Sequence, residues 1–194
     1  MKMKINSNML KSDYWRSGMY YHLERSLKAI QPKGRGVEFG GSNGVIQGFC
    51  PSVQFETRYY PEYDVLNPDS WETIWDVVVM DQVIEHVKRP WEVFDKLADH
   101  TRIAVITLPF LALVHPCPQD YWRITPDAIR DMAAERWDSV EIGSWGNADA
   151  AYWLARYGFD MSALLANVPE EKLVDALNRN DENLPLMIWA ILQK

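Results

Sequence analysis

Eight consecutive residues, Val37-Glu38-Phe39-Gly40-Gly41-Ser42-Asn43-Gly44, place a carboxylate and a glycine turn where a short apolar strand is expected to end. Glycine has no side chain and accepts positive φ, so such a turn lets a ligand lie against the backbone. The acid narrows the choice of ligand. Glu38 would repel a pyrophosphate, whereas it suits an ammonium group or ribose hydroxyls. The glycines at 40, 41 and 44, with Ser42 between them, do not follow the G-x-G-x-x-G order of a dinucleotide turn. A nicotinamide-dependent reductase would need that turn and a tyrosine-lysine pair, so NAD is the poorer fit. A strand, turn and helix without any ligand is the plain alternative for this motif alone.

Two more groups of residues could carry chemistry. Asp81-Gln82-Val83 follows a valine-rich run and is followed in turn by Glu85-His86, which either ties a loop to backbone groups or moves a proton. Further along, His115, Asp120, Tyr121, Trp122 and Arg123 fall within nine residues. An imidazole with an ordinary pKa of about 6.5 takes a proton from a hydroxyl or amine at neutral pH. Arg123 would hold an acidic group and the aromatics would pack on it; alternatively Asp120 and Arg123 pair with each other and Trp122 is core. Cys50 and Cys117 are far apart and have neither a C-x-x-C spacing nor a His/Cys cluster beside them. Neither a disulfide nor a metal site is expected from them.

The elements that must position these residues alternate as in a doubly wound sheet. A chain of 194 residues, 47% hydrophobic, is ample for one core and short for two domains, so one domain over 1–194 is expected. Asp13 caps an expected helix to about Ile30. Strands are expected at Arg35 to Phe39, Val53 to Tyr59, Asp64 to Leu66, Trp75 to Met80, Arg102 to Leu108, Trp137 to Ile142 and Leu186 to Leu192. Helices are expected to start at Asn67-Pro68-Asp69, at Pro90, at Thr125-Pro126-Asp127, at Asp149 and after Pro169. The net charge of −7, without a basic run, argues against a nucleic-acid partner. The longest apolar run, Ile103 to Val114, is broken by Pro109 and too short to span a bilayer, so a cytoplasmic protein with no membrane partner is expected. The oligomeric state is left open.

The pattern E-x-G-x-S-x-G at Glu38 to Gly44 resembles the first motif of class I S-adenosylmethionine-dependent methyltransferases, usually E/D-x-G-x-G-x-G. The stretch Asp76-Val77-Val78-Val79-Met80-Asp81-Gln82-Val83-Ile84-Glu85-His86-Val87, continued by Lys88-Arg89-Pro90, resembles the corresponding segment of their type 11 subgroup. So does His115-Pro116-Cys117-Pro118-Gln119-Asp120-Tyr121-Trp122-Arg123-Ile124-Thr125-Pro126. The resemblance covers residues 34 to 145. It implies an α/β, Rossmann-like, seven-stranded and mostly parallel sheet with helices on both faces and the last strand antiparallel. It implies S-adenosylmethionine as cofactor, S-adenosylhomocysteine as product, and methyl transfer to a small acceptor at oxygen or nitrogen.

Carried onto this chain, the resemblance places the cofactor on Glu38, Gly40, Gly41, Ser42, Gly44, Tyr59, Tyr60, Asp64, Val65, Asp81, Gln82 and Val83. The acceptor falls to Tyr121, Trp122 and Arg123, with His115 and secondarily His86 as bases. The family's aspartate for the ribose hydroxyls is replaced by Tyr59, leaving Glu56, Glu62, Tyr59 and Tyr60 open for that contact. The connection through Ala98-Asp99-His100-Thr101 is also shorter than the family's. With Ser42, these departures keep open a degenerate domain that binds a nucleoside or a protein partner without catalysis.

Overall fold

A computed structural model describes residues 13–40 and 44–194. Six described strands, β1 (Lys33–Gly40), β2 (Ser52–Arg58), β3 (Trp75–Asp81), β4 (Thr101–Pro109), β5 (Ser139–Trp145) and β6 (Met187–Gln193), form one sheet in the order β2-β1-β3-β4-β6-β5. The pairs from β2 through β1 and β3 to β4 are parallel, and β6 runs antiparallel to both β4 and β5. The described helices are α1 (Tyr14–Ile30), α2 (Val45–Phe49), α3 (Pro90–His100), α4 (Pro126–Ala133), α5 (Ala148–Tyr157), α6 (Met161–Asn167) and α7 (Glu170–Leu177).

The valine-rich run becomes the centre of the sheet because a strand covered on both faces needs apolar residues at every position. Val77 and Val79 join the core under α1, α5, α6 and α7, while Val78 and Met80 join the opposite core with α3 and α4. All four are fully buried, each contributing roughly 1.5–3 kcal/mol. Helix α1 starts where Asp13 accepts from the Arg16 amide, and it packs tightly on the sheet at Gly18, where a Cβ would fall 2.2 Å from the Trp145 ring. Thr125 caps α4 in the same manner, accepting from the Ala128 amide.

The third expected strand, Asp64 to Leu66, is not one, and the sheet has six strands among the described residues instead of seven. Pro61 and Pro68 bracket this segment, and neither has an N–H for a ladder. Local bonds hold it as turns: the Asp64 carboxylate accepts from the Leu66 amide at 2.8 Å, and the Trp71 indole donates to the Val65 carbonyl at 2.9 Å. The helix expected at Asn67 closes after one 3-10 turn, Pro68–Trp71. β2 is therefore the edge of the sheet. The expected bounds of β5 shift from 137–142 to Ser139–Trp145, and α6, capped by Asp160, was not anticipated.

Candidate functional site

The carboxyl ends of β1 and β3 open onto a cleft of about 480 Å³. Gly40, Tyr59, Tyr60, Asp64, Val65, Asp81, Gln82 and Val83 line it. Gly41 and Ser42, also expected there, lie outside the described residues. Gly40 ends β1 at φ +79°, and a Cβ on it would fall 2.6 Å from Val83 Cγ2. Both facts require glycine.

Glu38 and Gly44 are not among the described lining residues. The Glu38 carboxylate is fully buried and accepts from the side chain of Gln47 on α2, which also donates to the Thr57 hydroxyl at 3.1 Å. The acid thus ties α2 to the β1-β2 pair. Gly44 lies at the start of α2 with φ +69°.

At the end of β3, Asp81 is buried and accepts from the Tyr20 hydroxyl at 2.7 Å and from the Thr107 hydroxyl. Helix α1 and strand β4 are both anchored on this one carboxylate. Burial, reinforced by Asp81, holds the Tyr20 hydroxyl well above its ordinary pKa, so it stays a donor. The next residue, Gln82, has φ +58°, a left-handed conformation that costs a residue with a β-carbon about 1–3 kcal/mol. Its amide nitrogen and its side chain both donate to the Thr107 hydroxyl, at 3.1 and 3.0 Å. Those bonds hold the turn that faces the cleft.

A second cleft, of about 390 Å³, lies between the start of α1 and the loop after β4. Asp13, Arg16, His115 and Phe159 line it, and Gln82, His86 and Cys117 line both clefts. The loop from Phe110 to Ile124 is sewn to the 3-10 turn Ile84–His86. The Tyr121 and Trp122 amides donate to the Glu85 carbonyl at 2.8 and 3.2 Å, the Trp122 indole donates to the Val87 carbonyl at 3.0 Å, and His86 donates through Nδ1 to the Gln119 carbonyl.

Asp120 grips Arg123 through both oxygens, at 2.5 and 2.7 Å, and accepts from the His115 amide at 2.9 Å. The guanidinium holds the Asp120 carboxyl down at about 2. Trp122 and Arg123, expected at the acceptor, line neither cleft. Their polar groups are engaged by the Val87 carbonyl, Asp120 and the Leu113 carbonyl, so they shape the loop. Tyr121 lines the first cleft instead of the second.

His86, His115 and Glu85 meet at the floor of this loop. His86 Nε2 and His115 Nε2 lie 3.6 and 4.0 Å from Glu85 Oε1. Burial pushes the Glu85 carboxyl up to about 8 and holds the His86 imidazole below its ordinary value. Arg16 was not anticipated as a site residue, and Glu85 was expected only as half of a Glu-His pair that either ties a loop or moves a proton. Phe159, which also lines the second cleft, stands edge-on to His115 at 5.5 Å between ring centroids.

No protein-family model matches the sequence, and no curated protein does. Solved structures do match. A SAM-dependent methyltransferase from Archaeoglobus fulgidus is 16% identical with a TM-score of 0.58, over 92% of this chain and 94% of that one. A cyclopropane-fatty-acyl-phospholipid synthase-like protein from Lactobacillus casei is 12% identical with a TM-score of 0.54, over 93% and 92% of the two chains. Phosphoethanolamine N-methyltransferase 2 from Haemonchus contortus, in complex with S-adenosyl-L-methionine, is 12% identical with a TM-score of 0.51, over 98% of this chain and 60% of that one. The sheet order, its antiparallel β6 and these matches together give the chain the α/β Rossmann-like fold of the SAM-dependent methyltransferases.

Proposed function

We propose that this protein transfers a methyl group from S-adenosylmethionine to a small acceptor at oxygen or nitrogen. The observation that carries the reading is the pair of adjoining clefts, one at the carboxyl ends of β1 and β3, where open α/β sheets bind ligands, the other reached past Gln82, His86 and Cys117. The first has the size of a small-molecule site. Its backbone approach at Gly40 depends on the missing Cβ, and Tyr59 and Tyr60 are exposed aromatic faces with hydroxyls, fitted to a nucleoside and its ribose. Asp64 stands in the same cleft as an acceptor for an adenine amino group, while Gln82 and Val83 present the β3 turn.

When bound, the sulfonium supplies an already activated methyl group. The chain's own work is then to align the acceptor, exclude water and remove a proton. Two of these tasks fall to the second cleft. His115 and Cys117 of the loop after β4 border the acceptor, and the His115 imidazole draws off its proton, with His86 beside it at 5.1 Å between ring centroids.

A non-catalytic domain that binds a nucleoside or a protein partner is the second reading. It draws on Glu38, whose carboxylate turns to Gln47 and is not among the described residues lining the cleft.

The purified chain should bind S-adenosylhomocysteine in titration calorimetry and melt at a higher temperature in its presence, as mass action requires of a ligand that prefers the folded state. NADH should give neither signal. Absence of both heat and melting shift at saturating S-adenosylhomocysteine would transfer the preference to the second reading.

A further inference from the structure

Glu85 is a carboxylic acid in the wrong surroundings. Its side chain is 0% exposed, and neither oxygen has a hydrogen-bond partner on any other described residue. A buried carboxyl left this way is destabilising by about 1–3 kcal/mol or more. Two imidazoles approach it. His86 Nε2 stands 3.6 Å away and His115 Nε2 4.0 Å away, beyond hydrogen-bond reach.

The other face of each imidazole fixes its tautomer. His86 Nδ1 faces the Gln119 carbonyl, and His115 Nδ1 lies 3.0 Å from the Leu113 carbonyl. A carbonyl only accepts, so each Nδ1 carries the hydrogen and each neutral ring turns the lone pair of Nε2 toward Glu85. Asp120 Oδ2, 3.4 Å from His115 Nδ1, reinforces the same assignment. Two imidazole lone pairs and one carboxyl group therefore converge, and their ligating atoms all lie within 4.8 Å of one another.

We propose that Glu85, His86 and His115 bind one divalent transition-metal ion of the zinc(II) or iron(II) kind. Two imidazoles and one carboxylate are the donors such ions take. Outer contacts from Nδ1 to carbonyls are what ligating histidines make, because these fix the ring and raise its basicity. Donor atoms sharing a tetrahedral zinc stand about 3.4 Å apart. The 3.6 and 4.0 Å from Glu85 exceed that by a few tenths of an ångström and all three atoms lie within 4.8 Å, so a rotation of His115, 30% exposed on its loop, would be needed to close the set. Magnesium and calcium, which prefer all-oxygen shells, fit poorly.

The remaining coordination positions would face the second cleft, which His86 and His115 line. An acceptor hydroxyl bound there would have its pKa lowered by the ion, as bound water does. With the ion bound, His115 serves as a ligand and the ion takes over its part in removing the acceptor's proton; that consequence rests on the methyl-transfer reading, whereas ion binding does not.

The test uses the full chain, stripped with a chelator and titrated with zinc chloride alone and, anaerobically, with a ferrous salt. One ion per chain is expected, with affinity falling at least about tenfold in Glu85→Gln and in His115→Ala. Far-UV circular dichroism checks that each variant is folded. Should Glu85→Gln not fold, His115→Ala decides the matter alone, since its side chain is partly exposed. The proposal is overturned if neither salt binds, if His115→Ala binds as tightly as the parent chain, or if only Cys117→Ser loses the ion. Titrating the same samples with S-adenosylhomocysteine separates the two ideas. Zinc without S-adenosylhomocysteine leaves the ion site and removes the methyl-transfer reading, and the reverse result does the opposite.

Discussion

The two clefts are built by different means. The first is largely a product of strand ends: Gly40 closes β1, Asp81 closes β3, and Gln82 turns left-handed directly after it. The second is assembled from side chains that come from the start of α1, the turn after β3, the loop after β4 and the residues around α6. A backbone-built site depends on a few conformations that only certain residues adopt. A side-chain site depends instead on many weaker ties, each replaceable in part.

That contrast predicts where single substitutions act. The largest effect is expected at Gly40→Val, which combines a disfavoured φ with a clash against Val83. S-adenosylhomocysteine binding should become undetectable by calorimetry while circular dichroism still shows a folded chain. A folded variant with unchanged affinity would mean that the backbone turn is not what builds the first cleft.

His115→Ala should act on the second cleft only. Turnover of a competent acceptor should fall about 10²-fold, in keeping with loss of general-base or metal assistance, while S-adenosylhomocysteine affinity stays nearly intact. Equal loss in both measurements would erase the distinction between the clefts.

The smallest effect is expected at Tyr20→Phe, which removes one donor from the buried Asp81 carboxylate. Urea denaturation should show a loss of about 1–3 kcal/mol. Because Asp81 joins α1 to β3, ligand affinity should fall in both clefts together; an effect confined to one of them would show that the tie is local.

The sequence is legible where periodicity and punctuation agree. The valines at 77 to 79 and the caps at Asp13 and Thr125 are local signals, and the elements they mark are present with bounds shifted by a few residues at most. Asp64 to Leu66 misled because a short apolar stretch says nothing about whether a neighbouring strand can pair with it. There Pro61, Pro68 and the Asp64 carboxylate favoured turns. Glu38 misled differently: its place beside a glycine turn was readable, but the reach of Gln47 from α2 was not.

Glu85 and His115 are thirty residues apart, with no spacing that ties them. Only the return of the loop after β4 to the Glu85 carbonyl brings them together. The pairing of Asp120 with Arg123 was readable from their spacing as the alternative to an acceptor role, but nothing in the order of residues tells that the Val87 and Leu113 carbonyls take the remaining polar groups of Trp122 and Arg123. Arg16 was hidden because a cap signal fixes where α1 begins, not which strand end it overlooks.

Gln82, His86 and Cys117 belong to both clefts at once, so the partition between them is a single layer of side chains. Two ligands that press on opposite sides of such a partition are thermodynamically linked. By whatever factor a guest on one side alters the affinity for a guest on the other, the second guest returns the same factor to the first. A guest that moved Gln82 away from Thr107, or His86 away from the Gln119 carbonyl, would in the same act reshape the wall that the other guest meets.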